Sequence, residues 1–384
     1  MSDSPLAALT QGVIFTGEAF VENHALLLKD GRVLDIVAQA AVPAEAEVYA
    51  CPEAILAPGF IDCQVNGGGN VLFNDQPTAE GAVAIARAHA AYGTTRLLLT
   101  CITDTPEVTQ KAVAAARAAR KVCSNIFGVH LEGPHLSEAR RGVHKADYLR
   151  GLTQEDLLLY RAEPDEVFLV TLAPDVVAAE IIVKLRQQGA LVALGHTAAS
   201  PEQVRAALQA GATGFTHLFN AMGGMAARAP GPAGVALDDR DSWCGIIADG
   251  VHVDDTMIRL ASRAKPSGKL FLVSDAMPPA ATDDPRSFRL NGDLIHVEGG
   301  CCVNAAGTLA GACLILAEAV RHCVQQVGIE PDEALRMASA YPAAFLGVSD
   351  RLGKLLPGYT GDVTILNFDL SCRHAWIDGR PFSS

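Results

Sequence analysis

The chain has 384 residues, of which 49% are hydrophobic and 19% are charged, a balance typical of a globular protein with a large buried core. Its formal net charge of −13 disfavours nucleic acid and anionic membranes as partners, because both repel an acidic protein. The first basic residue is Lys29 and no apolar run reaches the roughly 18 residues of a membrane span, so we predict a cytoplasmic protein.

The sequences of the two ends of the chain predict short β-strands. HALLLKDGRVLDIV predicts two strands joined at the Asp-Gly pair of residues 30–31, because Asp-Gly is a strong signal for a two-residue hairpin turn. The stretch that follows Asp362 repeats the same pair at residues 378–379. We therefore predict one small β-sandwich domain that residues 1–57 and 353–384 form together.

Residues 58–352 alternate between short apolar runs and Ala-rich segments with helical periodicity, such as PEVTQKAVAAARAARKV. Eight of the apolar runs are strand-like: PGFIDCQVN, TTRLLLT, IFGVHLEG, VFLVTLAP, ALVALGHT, GFTHLF, WCGIIADG and KLFLVSDA. Eight strands separated by helices predict an α/β fold, a (β/α)8 TIM-like barrel. An open doubly wound sheet is the alternative, but NGGGN after the first strand does not complete its GxGxxG signature.

A β-rich insertion is predicted after the eighth strand, over residues 287–311. The next helix is predicted to run from about Gly311 to Val327. Insertions at this end of a barrel commonly shape the active site.

Polar side chains cluster at the predicted strand ends. In a β/α barrel these ends form the catalytic face, so acid–base and metal-ligand residue types there carry functional weight. Six of the eight strands supply such residues: Gln64 with Asn66, Glu132, His196, His217, Asp249 with His252, and Asp275. Each has a purely structural explanation on its own, such as a helix cap or a satisfied core histidine, but burying them together requires a shared partner.

A divalent metal ion is the partner that these residue types suggest. Glu132, His196 and His217 supply one carboxylate and two imidazoles, the three-ligand set that suits zinc with an open position for water. Water on such an ion has a pKa near ~7, and Asp275 is then placed to take its proton and pass it to a leaving amine. The predicted reaction is hydrolysis of an amide or an ester.

The motifs HLEGPHL, GVHK, LGHT, THLFNAM, ADGVHV and VSDAM, with PGFID on the first strand, resemble the amidohydrolase superfamily and, within it, the N-acetylglucosamine-6-phosphate deacetylase family. The resemblance extends over essentially the whole chain, and HLEGP with THLFNAM is its most specific part. It implies hydrolysis of N-acetylglucosamine 6-phosphate to glucosamine 6-phosphate and acetate in amino-sugar catabolism. It also implies Glu132, His196 and His217 as metal ligands and Asp275 as the catalytic base and acid.

The same resemblance implies roles for residues that the strand ends do not single out. His144 would be catalytic, polarising the acetamide carbonyl or orienting the sugar. Arg228 and His252 would bind the phosphate, with Arg228 reaching into the neighbouring subunit's site of a homodimer. The implied substrate-binding set comprises Gln64, Asn66, Val143, His144, Asn220, Ala221, Arg228, Asp249, His252, Leu309, Ala310 and Gly311.

The first strand departs from a pattern that is common in this superfamily. Many amidohydrolases have His-x-His on strand one and a carboxylated lysine on strand four, which together build a two-metal centre. Here the first motif is Gln64-Val65-Asn66, and VFLVTLAP contains no lysine. Since amides are poor zinc ligands, we predict one divalent ion per subunit, with zinc expected first and iron, manganese or cobalt as alternatives.

Three other functions stay open at the level of sequence. The first is the same reaction on N-acetylgalactosamine 6-phosphate, which differs at one hydroxyl. The second is hydrolysis of an unphosphorylated amide, although such a substrate would have no use for Arg228 and His252. The third is a catalytically inactive scaffold, and the complete ligand set with Asp275 argues against it.

Overall fold

The computed structural model describes residues 5–383, and its largest element is a sheet of eight parallel strands. Each strand pairs with the next in chain order, so the chain moves around the sheet in one direction. All eight fall on the predicted apolar runs, and the second continues two residues beyond its run, to Ile102. The barrel strands one to eight are Phe60–Val65, Thr94–Ile102, Ile126–Glu132, Val167–Leu172, Leu191–Leu194, Gly214–Phe215, Trp243–Ile246 and Leu270–Leu272.

The chain that follows strand eight returns to the side of strand one. Val65 forms a parallel bridge with Ala276, and the Asn66 N–H donates to the Ala276 carbonyl at 2.9 Å. The Ser274 N–H donates to Asp62 Oδ1 at 3.3 Å. These contacts bring the two edges of the sheet together and confirm the predicted barrel, which is nearly closed.

Helices connect the barrel strands and cover the outside of the sheet. Local caps begin several of them: the Thr105 hydroxyl accepts from the Val108 N–H at 3.4 Å, and Ser200 with Gln203 forms a capping box. None of the helices between residues 5 and 383 is long and apolar enough to cross a membrane. The α-helices are Ala79–Ala91, Pro106–Ala119, Gln154–Leu159, Ala179–Gln187, Pro201–Gln209, Gly231–Asp238, Asp255–Ala264, Leu316–His322, Pro331–Ala338 and Ala340–Phe345.

The predicted insertion is a four-stranded antiparallel sheet. Its strands are Phe288–Leu290, Asp293–Glu298, Cys301–Asn304 and Leu309–Ala312. Its buried side chains pack against Leu72, Ile102 and Met277 at the mouth of the barrel. This packing places the insertion over the C-terminal ends of the barrel strands.

The helix that follows the insertion begins later than predicted. It was expected near Gly311 but begins at Leu316, because Leu309–Ala312 pairs as the last strand of the inserted sheet. It ends at His322 and continues as a π-helical turn over Cys323–Val327. Apolar periodicity alone does not separate a short buried strand from the start of a helix.

The two terminal segments form two sheets with one shared core around Trp376, and this confirms the predicted β-sandwich. Both residues of each Asp-Gly pair, 30–31 and 378–379, have positive φ, as their hairpin turns require. The predicted domain limits, at residues 57/58 and 352/353, remain a prediction. One sheet contains Ala7–Thr10, His24–Lys29, Arg32–Ala38 and Glu47–Ala50, and the other contains Val13–Phe15, Phe20–Val21, Ala54–Pro58, Val363–Asn367, Cys372–Ile377 and Arg380–Pro381.

A buried ion pair connects the barrel to the sandwich. Arg96 on strand two donates from Nε and Nη2 to the two carboxylate oxygens of Asp362, at 2.6 and 2.9 Å. Its Nη2 also donates to Asp378 Oδ1 at 2.6 Å, and its Nη1 donates to the Ser124 carbonyl. Since both aspartates belong to the C-terminal part of the sandwich, this fork of charge-assisted hydrogen bonds holds the two domains in register.

Replacing this arginine should destabilise the whole protein. Arg96 is 7% exposed, so Arg96→Ala leaves the buried Asp362 carboxylate without its partner, at a cost of about 3–5 kcal/mol. Arg286→Ala is the matched control, because it breaks an ion pair with Asp284 in which both side chains are at least 70% exposed, and such pairs contribute about 0–1 kcal/mol. Urea unfolding followed by circular dichroism measures both. Equal unfolding midpoints for the two variants would contradict this prediction.

Candidate active site

The C-terminal ends of the barrel strands surround a cavity of about 510 Å³. The loop after strand three and the inserted sheet complete its wall. Most residues singled out from the sequence line this cavity, namely Asn66, Glu132, Val143, His144, His196, His217, Asn220, Ala221, His252, Asp275, Leu309, Ala310 and Gly311. Three others, Gln64, Asp249 and Arg228, are not part of the lining.

Glu132, His196 and His217 form a buried cluster on the cavity wall. Glu132 Oε1 lies 2.8 Å from His217 Nε2 and 3.2 Å from His196 Nε2, and the two Nε2 atoms are 3.0 Å apart. All three candidate ligand atoms lie within 4.8 Å of one another. Among the described residues this is the only group of His, Cys, Asp or Glu side chains with the spacing to hold a metal ion.

The three residues predicted for metal binding or proton transfer after strands five, six and eight have left-handed backbone conformations. The φ angles are +48° at His196, +33° at His217 and +51° at Asp275. Each residue lies just beyond the end of its barrel strand, where the chain turns sharply. A residue with a Cβ atom pays about 1–2 kcal/mol for this conformation, and such residues concentrate at functional sites.

The loop after strand three sets the tautomer of His196. His196 Nδ1 lies 3.0 Å from the Arg140 carbonyl oxygen, which can only accept a hydrogen bond, so Nδ1 carries the proton. The Nε2 atom therefore presents a lone pair to the cluster, as a metal ligand must. His217 Nδ1 has no partner within residues 5–383. The donor set and the His196 tautomer fit a divalent ion.

The two amides of strand one hold the carboxylates of the site. Gln64 Nε2 donates to Glu132 Oε1 and to Asp275 Oδ1, at 3.0 Å in each case. Asn66 Nδ2 donates to Asp275 Oδ1 at 2.7 Å. Gln64 thus lies beneath the cavity and acts as a bridge between Glu132 and Asp275. Asp275 Oδ2 has no hydrogen-bond partner in the described part of the chain.

Burial affects the two carboxylates differently because their neighbours differ. Burial alone would raise the pKa of Glu132, but the adjacent imidazoles of His196 and His217 hold it well below the usual value. Burial and the nearby charge of Glu132 raise the pKa of Asp275 to about 6. Glu132 therefore stays ionised near neutral pH, whereas Asp275 exchanges a proton close to neutral pH, as a general base or acid must.

His252 is held by the aspartate that precedes it on the same loop. Asp249 Oδ2 lies 2.6 Å from His252 Nδ1, and Asp249 Oδ1 accepts from the backbone N–H groups of Val251 and His252, at 2.9 and 2.8 Å. His252 Nε2 is buried without a protein partner among residues 5–383. Asp249 therefore fixes the orientation of the His252 ring and leaves Nε2 available to a ligand in the cavity.

His144 also lies on the cavity wall, with its ring centroid 4.5 Å from that of His196. Its Nδ1 is 2.7 Å from Thr103 Oγ1. Burial, with the nearby His196 adding to it, lowers the pKa of His144 to about 3. The imidazole is therefore neutral at physiological pH.

Sequence reasoning missed two of these contacts, those of Thr103 and of the Arg140 carbonyl. Thr103 had a signal, since it is the polar residue that follows strand two, but the apolar run TTRLLLT stops at Thr100. A backbone carbonyl such as that of Arg140 has no signature in the residue type. Arg228 is exposed in its loop and contributes nothing to the cavity of its own chain.

Asp62 is the third polar residue on the inward face of strand one, and it lies below the cavity. Its Oδ1 accepts from the N–H groups of Gln64 and Ser274, at 3.1 and 3.3 Å. Burial raises the pKa of Asp62 to about 7. Asp62 thus connects strand one to the end of strand eight and has a structural role.

Two family models match the chain. The model described as "Amidohydrolase family" matches residues 55–381, and the model described as "NagA composite domain" matches residues 7–52. The first match covers the barrel and the C-terminal strands of the sandwich. The second covers the N-terminal strands.

Curated relatives and solved structures match over nearly the whole chain. An N-acetylgalactosamine-6-phosphate deacetylase from Shewanella sp. (strain ANA-3) is 39% identical, over 97% of this chain and 93% of that protein. An N-acetylglucosamine-6-phosphate deacetylase from Haemophilus influenzae is 32% identical, over 97% and 98%. The crystal structure of N-acetylglucosamine-6-phosphate deacetylase from Pasteurella multocida superposes with a TM-score of 0.95 at 33% identity, over 99% of this chain and 100% of that one.

Proposed function

The chain belongs to the amidohydrolase family, and we propose that it hydrolyses the acetamide of N-acetylglucosamine 6-phosphate to give glucosamine 6-phosphate and acetate in amino-sugar catabolism. The observation that carries this proposal is that Asp275 shares one cavity with the Glu132–His196–His217 cluster. A proton-transfer group beside a metal site suits hydrolysis of an unactivated amide, because the ion makes water nucleophilic and the group moves its proton. The relatives' shared phosphorylated amino-sugar substrates supply the choice of amide.

Glu132, His196 and His217 would hold the metal ion, with zinc expected and iron, manganese or cobalt as alternatives. When bound, such an ion supplies the Lewis acidity that makes a water molecule nucleophilic near pH 7. Gln64 and Asn66 support a single ion, because both use their amide N–H groups to donate to carboxylates. Neither presents an imidazole that would hold a second ion.

Asp275 would move the proton. Gln64 and Asn66 fix its Oδ1, so its Oδ2 is left to accept the proton of the attacking water. The same carboxyl group then delivers that proton to the amide nitrogen, and the C–N bond breaks with release of acetate. His144, on the cavity wall beside His196, is the candidate contact for the acetamide carbonyl or for the sugar.

His252 and Arg228 would bind the phosphate. The Asp249 carboxylate orients His252, whose Nε2 has no partner among residues 5–383 and would contact the phosphate. We propose a homodimer in which Arg228 reaches the cavity of the neighbouring subunit, since its guanidinium is exposed and lies outside its own cavity. Because phosphorylated sugars do not cross membranes freely, the proposed location is the cytoplasm.

The second candidate substrate is N-acetylgalactosamine 6-phosphate. The observation that favours it is the 39% identity to the Shewanella protein, whose name specifies the galacto epimer. The same metal site and the same Asp275 would act on either epimer, because the acetamide and the phosphate are common to both.

Acetate release from both 6-phosphates, measured side by side with the unphosphorylated sugars, tests the function. We expect turnover of N-acetylglucosamine 6-phosphate, and a kcat/KM at least about 100-fold lower without the phosphate, because two charge-assisted contacts are lost. A higher kcat/KM for N-acetylgalactosamine 6-phosphate than for N-acetylglucosamine 6-phosphate would instead assign the galacto epimer as the substrate. Acetate release from none of the four compounds would reject the proposed function.

Metal analysis of protein purified without chelators should find one tightly bound divalent ion per chain. Glu132→Gln should lower the bound metal to well below one ion per chain, because the cluster loses its charged ligand. His296→Asn, which replaces an exposed histidine of the inserted sheet, should leave the content unchanged. Two tightly bound ions per chain would reject the single-metal proposal.

Asp275→Asn should keep the fold, the metal and substrate binding but lower kcat by about 10²–10⁴-fold, because the amide cannot accept the water's proton. Asp293→Asn is the control, because it makes the same change of aspartate to asparagine at an exposed position of the inserted sheet. Metal content and melting temperature are measured alongside turnover. Turnover of a metal-loaded Asp275→Asn variant near the wild-type rate would remove Asp275 from the proton-transfer role.

A further inference from the structure

Two cysteine sulfur atoms lie next to each other in the inserted sheet. Cys302 Sγ is 3.2 Å from Cys313 Sγ, and both thiols are free. Cys302 belongs to the strand Cys301–Asn304, and Cys313 directly follows the neighbouring strand Leu309–Ala312. Neither thiol has a part in the proposed hydrolysis. Two thiols this close form a disulfide with small shifts of the backbone, since the S–S bond is about 2.05 Å long.

A bulge in the inserted sheet brings the two sulfur atoms together. Residues 301–303 of one strand face residues 309–312 of the other, so three residues oppose four. Gly311 has a φ of +68°, a left-handed conformation that glycine adopts at little cost in a bulge. The bulge breaks the regular pairing at Cys302, and its side chain reaches Cys313.

The two thiols differ in their exposure. Cys302 is 0% exposed and belongs to the same buried cluster as Leu290 and Ile295. Cys313 is half-buried and lines a second cavity, also of about 510 Å³, between the inserted sheet and the loop after strand seven. A negative charge is therefore better solvated on Cys313, and a hydrogen bond from the Cys302 S–H lowers the pKa of the Cys313 thiol. Cys313 is thus the nucleophilic thiol, and Cys302 is the thiol beside it.

The strand that precedes Cys313 contacts the backbone of Asp275. The Ala312 N–H donates to the Asp275 carbonyl oxygen at 2.9 Å. A Cβ atom on Gly311 would lie 2.9 Å from the same carbonyl oxygen, so the two segments are in close contact. A movement of Cys313 towards Cys302 therefore moves the backbone of the proposed proton-transfer residue.

We propose that Cys302 and Cys313 are a peroxide-sensitive pair whose disulfide lowers the rate of hydrolysis and whose reduction restores it. The effect on the rate rests on the proposed function, whereas formation of the disulfide does not. Oxidation shifts the segment that carries Asp275, while Gln64 and Asn66 hold its side chain from strand one. A displacement of about 1 Å in an active site costs up to about 100-fold in rate, and both strands share the shift, so we expect a loss of about 10-fold in kcat.

Hydrogen peroxide oxidises the pair in two steps. The Cys313 thiolate attacks one oxygen of the peroxide, the O–O bond breaks, hydroxide leaves, and Cys313 becomes a sulfenic acid. The Cys302 sulfur then attacks the Cys313 sulfur, so that the S–S bond forms, the S–O bond breaks and a second hydroxide leaves. The protons of the two thiols convert both hydroxides into water. Two thiols and one peroxide thus give one disulfide and two water molecules.

Mass spectrometry of the full-length, zinc-loaded protein tests the site directly. After treatment with a small excess of hydrogen peroxide, the wild type should lose two hydrogen atoms and two of its ten thiols, and fragment spectra should locate the bond between Cys302 and Cys313. Cys301→Ser is the matched control, because Cys301 is the sequence neighbour of Cys302 and also lines the second cavity, and it should still form the bond. Cys302→Ser and Cys313→Ser should not form it. A wild-type disulfide between Cys301 and Cys313, or none in the inserted sheet, would overturn the proposal even if a variant does not fold.

Acetate release from N-acetylglucosamine 6-phosphate, measured before and after the peroxide treatment, tests the effect on the rate. Wild type and Cys301→Ser should lose about 10-fold in kcat and regain it with dithiothreitol, whereas Cys302→Ser and Cys313→Ser should keep their activity. The zinc content should stay constant, since no cysteine is a proposed ligand. A disulfide without loss of turnover, or an equal loss in Cys313→Ser, would also overturn the proposal.

The two measurements separate this proposal from the proposed function. Lack of acetate release by the untreated wild type would reject the proposed function. The mass spectra require no substrate, so they still decide whether Cys302 and Cys313 are the site of oxidation.

Discussion

The site depends on the convergence of three side chains on one oxygen atom, Glu132 Oε1. The Nε2 atoms of His217, His196 and Gln64 lie 2.8, 3.2 and 3.0 Å from it. Removing a carboxylate from water is costly, and the Gln64 amide N–H, which donates to this oxygen, together with the adjacent imidazoles offsets the cost. His196 and His217 also have left-handed backbones, with about 1–2 kcal/mol of strain each. Backbone hydrogen bonds hold both residues, since the Ser137 N–H donates to the His196 carbonyl and the Asn220 N–H donates to the His217 carbonyl, each at 2.9 Å.

The same arrangement gives two carboxylates different tasks. Glu132 faces two imidazoles, which keep its pKa low, so it remains ionised near neutral pH, as the proposed metal ligand must. Asp275 faces the charge of Glu132 and two amides, and its pKa rises to about 6. Gln64 donates to both carboxylates, so it holds them at a fixed separation while leaving their charges unequal. A histidine in place of Gln64 could bring a second ion between them and remove this difference.

The barrel and the metal cluster could be predicted from the sequence because each buried parallel strand is a continuous apolar run, and the polar residue that ends it is costly to bury alone. The contact of the Arg140 carbonyl could not be predicted, because a backbone carbonyl has no signature in the residue type, and Thr103 was missed because it follows the end of the run TTRLLLT. Strand two extends to Ile102 through its pairing with strand three, beyond the apolar run that ends at Thr100. The helix that begins at Leu316 is likewise delimited by strand pairing. The ends of these strands and helices are set by contacts between segments that are far apart in the chain. The local periodicity of the sequence carries no information on those contacts.

The loop after strand three contacts the candidate metal cluster and carries His144 on the cavity wall. The Ser137 N–H donates to the His196 carbonyl at 2.9 Å, and the Arg140 carbonyl accepts from His196 Nδ1 at 3.0 Å. Four residues later the same loop carries His144, which Thr103 ties to the backbone carbonyl of Glu132. His144 is thus connected to Glu132 and His196, two of the three proposed metal ligands. A shift of this loop would therefore change the position of His144 and the contacts of His196 together.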